Sequence, residues 1–156
     1  MKLRRTVPLV AAGVMVVGAA IAGAGPAAAA TPERLCVASE DDVCAAPNGA
    51  YPVLMNNYSF SNFTEWLYNV PNHPGQIQLS GQDLCMQLDH DAGNTVILAT
   101  CNGASYQKWN AFYAPGGWAF YSQWDGTQCL TYNRDYAELD TVTCNNAWYQ
   151  SFNQGS

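Results

Sequence analysis

The sequence predicts an all-β domain made of three similar units of about 42 residues. Three cysteines are each followed, 22 to 24 residues later, by a large aromatic residue. Between them lie short apolar runs separated by the Asn, Asp and Gly residues that are typical of turns. No ten-residue stretch after residue 30 has the convincing 3.6-residue periodicity of a helix. The remaining 126 residues therefore accommodate about twelve short strands.

Residues 1–30 predict a cleavable export signal. A basic start is followed by an apolar run to about Ala24 and by the small residues Ala28-Ala29-Ala30. A membrane anchor is the alternative, but the run consists largely of Ala, Gly and Val and ends in a cleavage pattern, which favours removal. We therefore expect a secreted, extracellular protein without membrane insertion. Its mature part, residues 31–156, is long enough for one domain.

The mature part is strongly acidic. It contains only Arg34, Lys108 and Arg134 as basic residues against all twelve Asp and Glu residues, a net formal charge of −9. Such a surface repels phosphate backbones and anionic lipid, so no nucleic-acid partner is expected. Five Trp, nine Tyr and five Phe residues suit either a small β core or stacking on sugar rings, and composition alone does not separate the two.

The internal repeat appears when the first cysteine of each unit is placed in register. These cysteines are Cys44, Cys85 and Cys129, and the aromatic residues that follow them are Trp66, Trp109 and Phe152. The mature chain then divides into units of about 31–72, 73–114 and 115–156. Because the units extend from the first mature residue almost to the last, the repeat favours a closed pseudo-three-fold domain over an open array.

The second unit is the best defined, and it contains four apolar or β-branched runs that predict strands. These runs are 76–80, 84–88, 95–101 and 107–113. Trp109 is the natural core residue of the last one.

Six cysteines behind an export signal predict three disulfides. Pairing within each unit is the economical arrangement, because the two cysteines of unit two and the two of unit three occupy equivalent places. In unit one, Tyr58 stands at the position of the second cysteine, so Cys36 is left to pair with Cys44. The predicted bonds are Cys36–Cys44, Cys85–Cys101 and Cys129–Cys144. The cysteines lack the His and CxxC neighbours of a metal site, and we predict neither metal nor cofactor.

At this point the residues resemble a known family. The motifs Cys101-Asn102-Gly103 and Gln107-Lys108-Trp109 resemble the C-N-G turn and Q-x-W element of the ricin-type β-trefoil lectin domain. The third unit has Gln150-Ser151-Phe152 in place of Q-x-W, and the first has Thr64-Glu65-Trp66. The resemblance implies a small secreted bacterial member of this family. It also implies a β-trefoil in which six strands close a barrel and six cap it.

The resemblance implies binding of galactose-type or related sugars, at most one per unit. In the family pattern an Asp follows the first cysteine by two residues, an aromatic residue precedes the second cysteine by two, and an Asn precedes the Q-x-W Gln. Every unit departs from this pattern. The Asp position holds Ala46, Gln87 and Thr131, the stacking position Asn56, Ala99 and Val142, and the Asn position Phe63, Tyr106 and Tyr149.

Seven residues are candidates for carbohydrate binding despite these departures. In unit two they are Gln87, Asp89, Asn102, Tyr106 and Gln107, and in unit three Tyr149 and Gln150. For Gln107 and Gln150 a structural role is the alternative, because they share a strand face with the core aromatics and can satisfy buried backbone groups.

Three functions remain open at this level. The first is a non-catalytic, lectin-like module with degenerate sites that binds a glycan or cell-surface polysaccharide as a monomer. The second is a trefoil scaffold that binds a protein partner, as an inhibitor, adaptor or toxin component. An enzyme is disfavoured because no catalytic constellation is apparent. A calcium loop starting at Asp89-x-Asp91 is disfavoured too, because Thr100 stands where the closing Glu is required.

Overall fold

A computed structural model describes residues 33–49, 52–57, 65–70, 73–89, 91 and 93–155. The predicted export signal and several residues named above (Tyr58, Phe63, Thr64) lie outside these ranges. The described residues form twelve strands, and each unit contributes four. Within these ranges no helix is long and apolar enough to cross a membrane.

The strands are numbered in chain order. Unit one contains β1 (Arg34–Val37), β2 (Glu40–Ala46), β3 (Leu54–Asn57) and β4 (Trp66–Val70). Unit two contains β5 (His73–Leu79), β6 (Leu84–Asp89), β7 (Thr95–Thr100) and β8 (Trp109–Ala114). Unit three contains β9 (Gly117–Ser122), β10 (Gln128–Asn133), β11 (Glu138–Thr143) and β12 (Phe152–Gly155).

The strand register confirms the alignment of the repeats. Each unit has a central antiparallel hairpin, formed by β2–β3, β6–β7 and β10–β11. Across these hairpins the first cysteine of each unit lies opposite the residue at the family's stacking position. The pairs are Cys44 with Asn56, Cys85 with Ala99 and Cys129 with Val142. Equivalent sequence positions thus occupy equivalent places in the fold, which is the all-β trefoil that the sequence predicts.

The closed ring of hydrogen-bonded strands contains seven strands, where the resemblance led us to expect a barrel of six. The ring runs through β1, β2, β3, β11, β10, β9 and β12. The ring includes the hairpin strands β2, β3, β10 and β11 because the hairpins of units one and three pair directly with each other, with Leu54 opposite Glu138. The hairpin of unit two is attached to this ring by the pairing of Thr95 with Asp140.

The three hairpins meet around a small apolar centre. Val53, Val96 and Leu139 are equivalent residues, and each is completely buried. Backbone hydrogen bonds link the three residues. The Val53 amide donates to the Val96 carbonyl and the Leu139 amide donates to the Val53 carbonyl, both at 2.8 Å. Burying three branched side chains on the pseudo-axis stabilises the meeting point, since each contributes about 1.5–3 kcal/mol of transfer free energy.

The aromatic residues of the repeat form the main core. Trp66, Trp109 and Phe152 are at most 3% exposed. Each Trp also bonds across its unit: the Trp109 Nε1 donates to the Met86 carbonyl at 3.2 Å and the Trp66 Nε1 to the Ala45 carbonyl at 3.1 Å. Both carbonyls belong to the residue after the first cysteine of the unit, so the indole fixes the distance between hairpin and core. Phe152 has no N–H group with which to make this bond.

The three predicted disulfides are confirmed. The bonds join Cys36 to Cys44, Cys85 to Cys101 and Cys129 to Cys144. Each closes a loop within one unit, so no disulfide ties the units to one another. Contact between units therefore depends on strand pairing and core packing.

Two predicted strands of unit two were wrong at their start. The first was expected to begin at Gln76 but begins at His73, because its pairing with β4 extends to Val70 opposite His73. The fourth strand of unit two was expected to begin at Gln107, but residues Ser105–Gln107 form a 3-10 turn and the strand begins at Trp109. The turn is favoured because the amide of Lys108 donates to the carbonyl of Ser105 at 3.1 Å. Trp148–Gln150 forms the same turn in unit three, before β12.

The indole bond of Trp109 gives a first prediction. Replacing Trp109 by Phe keeps an aromatic ring in the core and removes the partner of the Met86 carbonyl. An unsatisfied buried carbonyl costs about 1–3 kcal/mol, so the free energy of unfolding should fall by about that amount. Urea denaturation followed by far-ultraviolet circular dichroism measures it. Trp118→Phe, which changes a partly exposed ring, is the control, and equal stabilities for the two variants would contradict the proposed role of the bond.

Candidate functional site

The turn that follows the second cysteine of unit two is organised by one buried amide. Gln107 is completely buried, and its Oε1 accepts hydrogen bonds from the Asn102 backbone amide at 2.8 Å and from the Gln76 Nε2 at 2.7 Å. Its Nε2 donates to the Thr100 carbonyl at 2.9 Å and to the Gln87 Oε1 at 3.1 Å. The Gln107 amide thus bonds two donors and two acceptors at once. Gln suits this buried position because its side chain both donates and accepts hydrogen bonds.

Unit three repeats this arrangement. Gln150 is 1% exposed, its Oε1 accepts from the Asn145 amide at 2.9 Å, and its Nε2 donates to the Thr143 carbonyl at 3.1 Å and the Thr131 Oγ1 at 3.2 Å. The next residue of the turn is left-handed in both units, with φ of 72° at Gly103 and 57° at its counterpart Asn146. Gly and Asn are the residues that adopt this conformation at least cost.

The asparagine of each turn orients a tyrosine. The Asn102 Oδ1 accepts from the Ala104 amide at 2.9 Å, and its Nδ2 donates to the Tyr106 hydroxyl at 3.4 Å. Asn145 repeats both contacts, with a distance of 3.1 Å to the Tyr149 hydroxyl. The side chains of Asn102, Gln107 and Gln150, three of the candidate binding residues, are therefore engaged within the protein. The two glutamines lie beneath the surface, as in the structural alternative considered for them.

The remaining candidates of unit two lie together around a shallow pocket of about 270 Å³. Its lining residues are Gln87, Leu88, Asp89, Asp91, Tyr106 and Trp124. Gln87, Asp89 and Tyr106 are half-buried, and Asp91 is exposed. The bond from Gln107 to the Gln87 Oε1 holds the Gln87 amide in place at the floor of the pocket. This arrangement provides hydrogen-bond donors and acceptors next to aromatic rings.

Trp124 reaches this pocket from the loop between β9 and β10, which belongs to unit three. Its ring lies edge-on to Tyr106, with centroids 6.3 Å apart and planes at 64°, and it is 54% exposed. The Trp124 amide donates to the Oγ of Ser122 at 3.1 Å. The neighbouring Gln123 bonds to β8 through its amide, which donates to the Lys108 carbonyl at 2.8 Å. These contacts fix the loop that presents the indole.

Unit three has a pocket of about 360 Å³ in the equivalent place. Its lining residues are Thr131, Tyr132, Asn133, Arg134, Asp135, Asp140, Val142, Trp148 and Tyr149. Counted from the first cysteine, Thr131 corresponds to Gln87, Asn133 to Asp89 and Asp135 to Asp91. Tyr149, the remaining candidate, corresponds to Tyr106.

An arginine distinguishes the pocket of unit three. The guanidinium carbon of Arg134 lies 4.9 Å from the centroid of the Trp148 ring, within the range of a cation–π interaction. The same guanidinium forms an ion pair with Glu40 of β2. Trp148 also packs edge-on against Tyr149, with centroids 5.4 Å apart. One face of this indole is therefore already paired with a cation from the protein itself.

Sequence reasoning missed the two tryptophans. Trp124 lies five residues before Cys129, where units one and two have Ser39 and Ser80. Trp148 lies two residues before Gln150, where unit two has Ser105. A Trp at a position where another unit has Ser cannot serve the shared core. That departure from the repeat is the sequence feature by which both tryptophans could have been predicted.

The counterpart of these pockets in unit one includes Phe63, which lies outside the described residues. Its other family positions hold Ala46 and Asn56, which are half-buried and exposed. In the part of the chain that the structure describes, no group of three or more His, Cys, Asp and Glu residues is arranged to hold a metal ion.

Two carboxyl groups near the pockets have shifted pKa values. The hydroxyl and then the amide of Thr127 donate to Asp125, at 2.7 and 3.0 Å, and lower the pKa of that carboxyl below its ordinary value of 3.8. Burial, followed by the negative charge of Asp140, raises the pKa of Glu138. Asp125 belongs to the loop that carries Trp124, and its carboxylate accepts both bonds from Thr127 within that loop.

Comparison with known proteins places these observations in context. The sequence profile of the ricin-type beta-trefoil lectin domain matches residues 33–154. No curated protein matches the chain. The crystal structure of the hemolytic lectin CEL-III is similar, with a TM-score of 0.63 and 20% sequence identity, over 79% of this chain and 30% of that one. At that identity the structural likeness shows the fold alone, and this chain spans under a third of that lectin.

The buried amide of Gln107 gives a second prediction. Gln107→Met preserves the approximate size of the side chain and leaves the Asn102 amide and the Thr100 carbonyl without their partner. We expect a loss of about 2–4 kcal/mol in the free energy of unfolding, since each unsatisfied buried group costs about 1–3 kcal/mol. Chemical denaturation measures it. Gln78→Met, which removes an exposed bond to the Gln82 carbonyl, should change stability by less than about 0.5 kcal/mol; similar losses would contradict the assignment.

The lowered pKa of Asp125 gives a third prediction. The ionised carboxylate is favoured in the folded state, so its contribution to the order of the loop is present above pH 3.8 and is lost as the pH falls through the lower, folded pKa. The Thr127 amide resonance should titrate by NMR with a midpoint below 3.8. Thr127→Val removes the hydroxyl donor and should move the Asp125 pKa back towards 3.8. A midpoint above 3.8 in the unaltered protein would refute the assignment.

Proposed function

Because the chain belongs to the ricin-type β-trefoil lectin domain family, we propose that it is a secreted, non-catalytic carbohydrate-binding module. We further propose that it holds glycans in the pockets of its second and third units. Export would follow from the signal at residues 1–30, which lies outside the described residues. The proposal extends to a monomer that acts outside the cell on a glycan or cell-surface polysaccharide.

The observation that carries this proposal is that the two pockets occur at equivalent places and are built alike. Each has a polar residue at its floor (Gln87 or Thr131) and a tyrosine oriented by the turn asparagine (Tyr106 or Tyr149). Their volumes of about 270 and 360 Å³ lie near the lower end of the range for small-ligand sites, about 300–1,000 Å³, which suits one or two sugar residues.

The chemistry of the pockets differs from the galactose-type pattern of the family. The family's stacking position holds Ala99 in unit two and Val142 in unit three, so an aromatic ring is missing there. Trp124 and Trp148 instead bring rings to the pockets from other positions. An aromatic face for the apolar side of a sugar is thus retained by a different residue. We propose degenerate sites in this sense: altered in their contacts and still able to bind.

The protein-binding scaffold, the second function considered from the sequence, is less well supported. In the core of a protein-binding surface, aromatic residues are enriched and charged residues are depleted. The two pockets here instead contain charged side chains beside their rings: Asp89 and Asp91 in unit two, and Arg134, Asp135 and Asp140 in unit three.

A glycan array followed by titration calorimetry tests this function. Trp124→Ala and Trp148→Ala should each weaken binding of a selected glycan at one pocket by about tenfold, since a stacked ring contributes roughly 1–1.5 kcal/mol. The double variant should show this weakening at both sites. Tyr113→Ala is the matched control, because Tyr113 is 77% exposed on the β8–β9 hairpin and lines neither pocket.

Circular dichroism and thermal unfolding should show that the variants remain folded, because both indoles are substantially exposed. Incubation with the bound glycan should release no reducing ends, as expected of a binding module. Absence of binding to every glycan at millimolar concentration would contradict the proposal. So would equal binding by the double variant and the unaltered protein.

A further inference from the structure

Two polar side chains that line the unit-three pocket are already bonded within the protein. The Thr131 Oγ1 donates to a backbone carbonyl at 2.8 Å and accepts from the Gln150 Nε2 at 3.2 Å. Asn133 is engaged at both ends of its amide. Its Nδ2 donates to the Asp140 carboxylate at 2.6 Å, and its Oδ1 accepts from the Asp135 backbone amide at 3.1 Å. A polar ligand in this pocket therefore needs hydrogen-bond partners beyond these two side chains.

Arg134 brings more donors to this pocket than the protein itself uses. A guanidinium carries five N–H donors in a fixed, planar arrangement. One of its groups, Nη2, donates to the Oε1 of Glu40. The Arg134 side chain lines the pocket and is 62% exposed. Donors that Glu40 does not use are therefore accessible to a ligand.

Two contacts from different parts of the fold hold this guanidinium in place. The Trp148 ring lies beneath it, with 4.9 Å between the guanidinium carbon and the ring centroid. Glu40, whose side chain is 26% exposed, holds it from β2 of unit one. A side chain fixed in this way loses little further conformational freedom when a ligand binds. Arg134 is thus preorganised as a donor.

Glu40 also extends a pattern seen in the unit-two pocket. There, Trp124 reaches the pocket from unit three, five residues before Cys129. Glu40 reaches the guanidinium of unit three from unit one, four residues before Cys44. Each pocket thus involves a side chain from a neighbouring unit, located just before the first cysteine of that unit.

We propose that Arg134 is the specificity-determining residue of the unit-three pocket, and that Glu40 sets its preference. The guanidinium donates to the hydroxyl groups of a neutral sugar, while Glu40 keeps it from binding the carboxylate of an acidic one. This inference rests on the proposed function and specifies the ligand class of one of its two sites.

The charges around the guanidinium explain this preference. Pairs between a guanidinium and a carboxylate form some of the strongest hydrogen bonds in proteins. Glu40 already supplies that carboxylate, and Asp135 and Asp140 add negative charge to the pocket lining. An acidic sugar would have to displace Glu40 and approach the two aspartates. A neutral sugar needs only the donors that remain.

NMR titration tests the proposal with two probes that differ in one group. The neutral probe is an oligosaccharide selected on the glycan array that has a free C6 hydroxyl, and the acidic probe is the same oligosaccharide oxidised at C6 to a uronic acid. The indole N–H resonance of Trp148 reports occupancy of the unit-three pocket, which this residue lines. The neutral probe should bind about fivefold more tightly, the upper range for an exposed charge pair.

Variants of Arg134 test its role as the donor. Arg134→Ala and Arg134→Lys should each weaken binding of the neutral probe about tenfold, because a charge-assisted hydrogen bond is lost or misplaced. Lysine is the matched control for charge, since it keeps the cation and removes the planar fork. Binding by Arg134→Lys equal to that of the unaltered protein would overturn the assignment. Tighter binding by Arg134→Ala would do so too, because the guanidinium would then be blocking the Trp148 ring.

A variant of Glu40 tests the preference itself. Glu40→Gln can still accept a bond from Arg134, but it removes the competing charge. It should raise the affinity for the acidic probe about fivefold and so remove the preference for the neutral one. Glu65→Gln is the matched control, because Glu65 is an exposed carboxylate of the same unit that does not line the unit-three pocket. An equal effect of the two variants would show bulk repulsion and would overturn the proposal.

The outcomes separate this inference from the proposed function. Binding of the neutral probe that shifts the Trp148 resonance and is unchanged in both Arg134 variants would overturn the inference and leave glycan binding standing. Failure to bind any glycan would remove both. Thermal unfolding of each variant shows that the protein remains folded, as expected for changes at side chains that reach solvent.

Discussion

The buried amide of Gln107, repeated by Gln150, is the contact on which the candidate sites depend. An amide side chain donates and accepts at once, so a single residue can satisfy both the N–H that follows the second cysteine and the carbonyl that precedes it. With those groups satisfied, the turn can be buried on its inner side. Its outer side is then free to present an asparagine and a tyrosine to solvent in a defined orientation.

This division between inner and outer faces explains how the sites could change while the fold stayed the same. Residues that face inward at equivalent positions, such as Trp66 and Trp109, are constrained by packing and by their indole bonds. The outward positions have no such constraint: units two and three keep the tyrosine there (Tyr106 and Tyr149) but differ at Gln87 and Thr131 and at Asp89 and Asn133. The aromatic wall was retained by Trp124 and Trp148, each from a position where the repeat requires no aromatic residue.

The sequence allowed prediction of most of the fold and only part of the candidate site. Cysteine pairing, strand number and the core aromatics follow from local spacing, because a repeat places equivalent residues in equivalent surroundings. Gln87, Asp89 and Tyr106 were found by the same logic. Trp124 was not predicted, because it reaches the unit-two pocket from unit three. The spacing of residues within one unit does not indicate contacts between units. The start of β8 was misplaced because the side-chain bonds of Gln107 favour a 3-10 turn over the strand that its neighbours suggest.

The same fold positions two pockets with different charged side chains in one small domain. In unit three, the guanidinium of Arg134 is shared between the Trp148 ring and Glu40 of unit one, so a bound ligand meets a cation that the protein already holds. In unit two, the described pocket residues include Asp89 and Asp91 beside the rings of Tyr106 and Trp124. Under the proposed function, a polysaccharide held in one pocket reaches the other at a high effective concentration. The affinity expected for such a polymer then exceeds that for either sugar alone, even though each pocket is shallow.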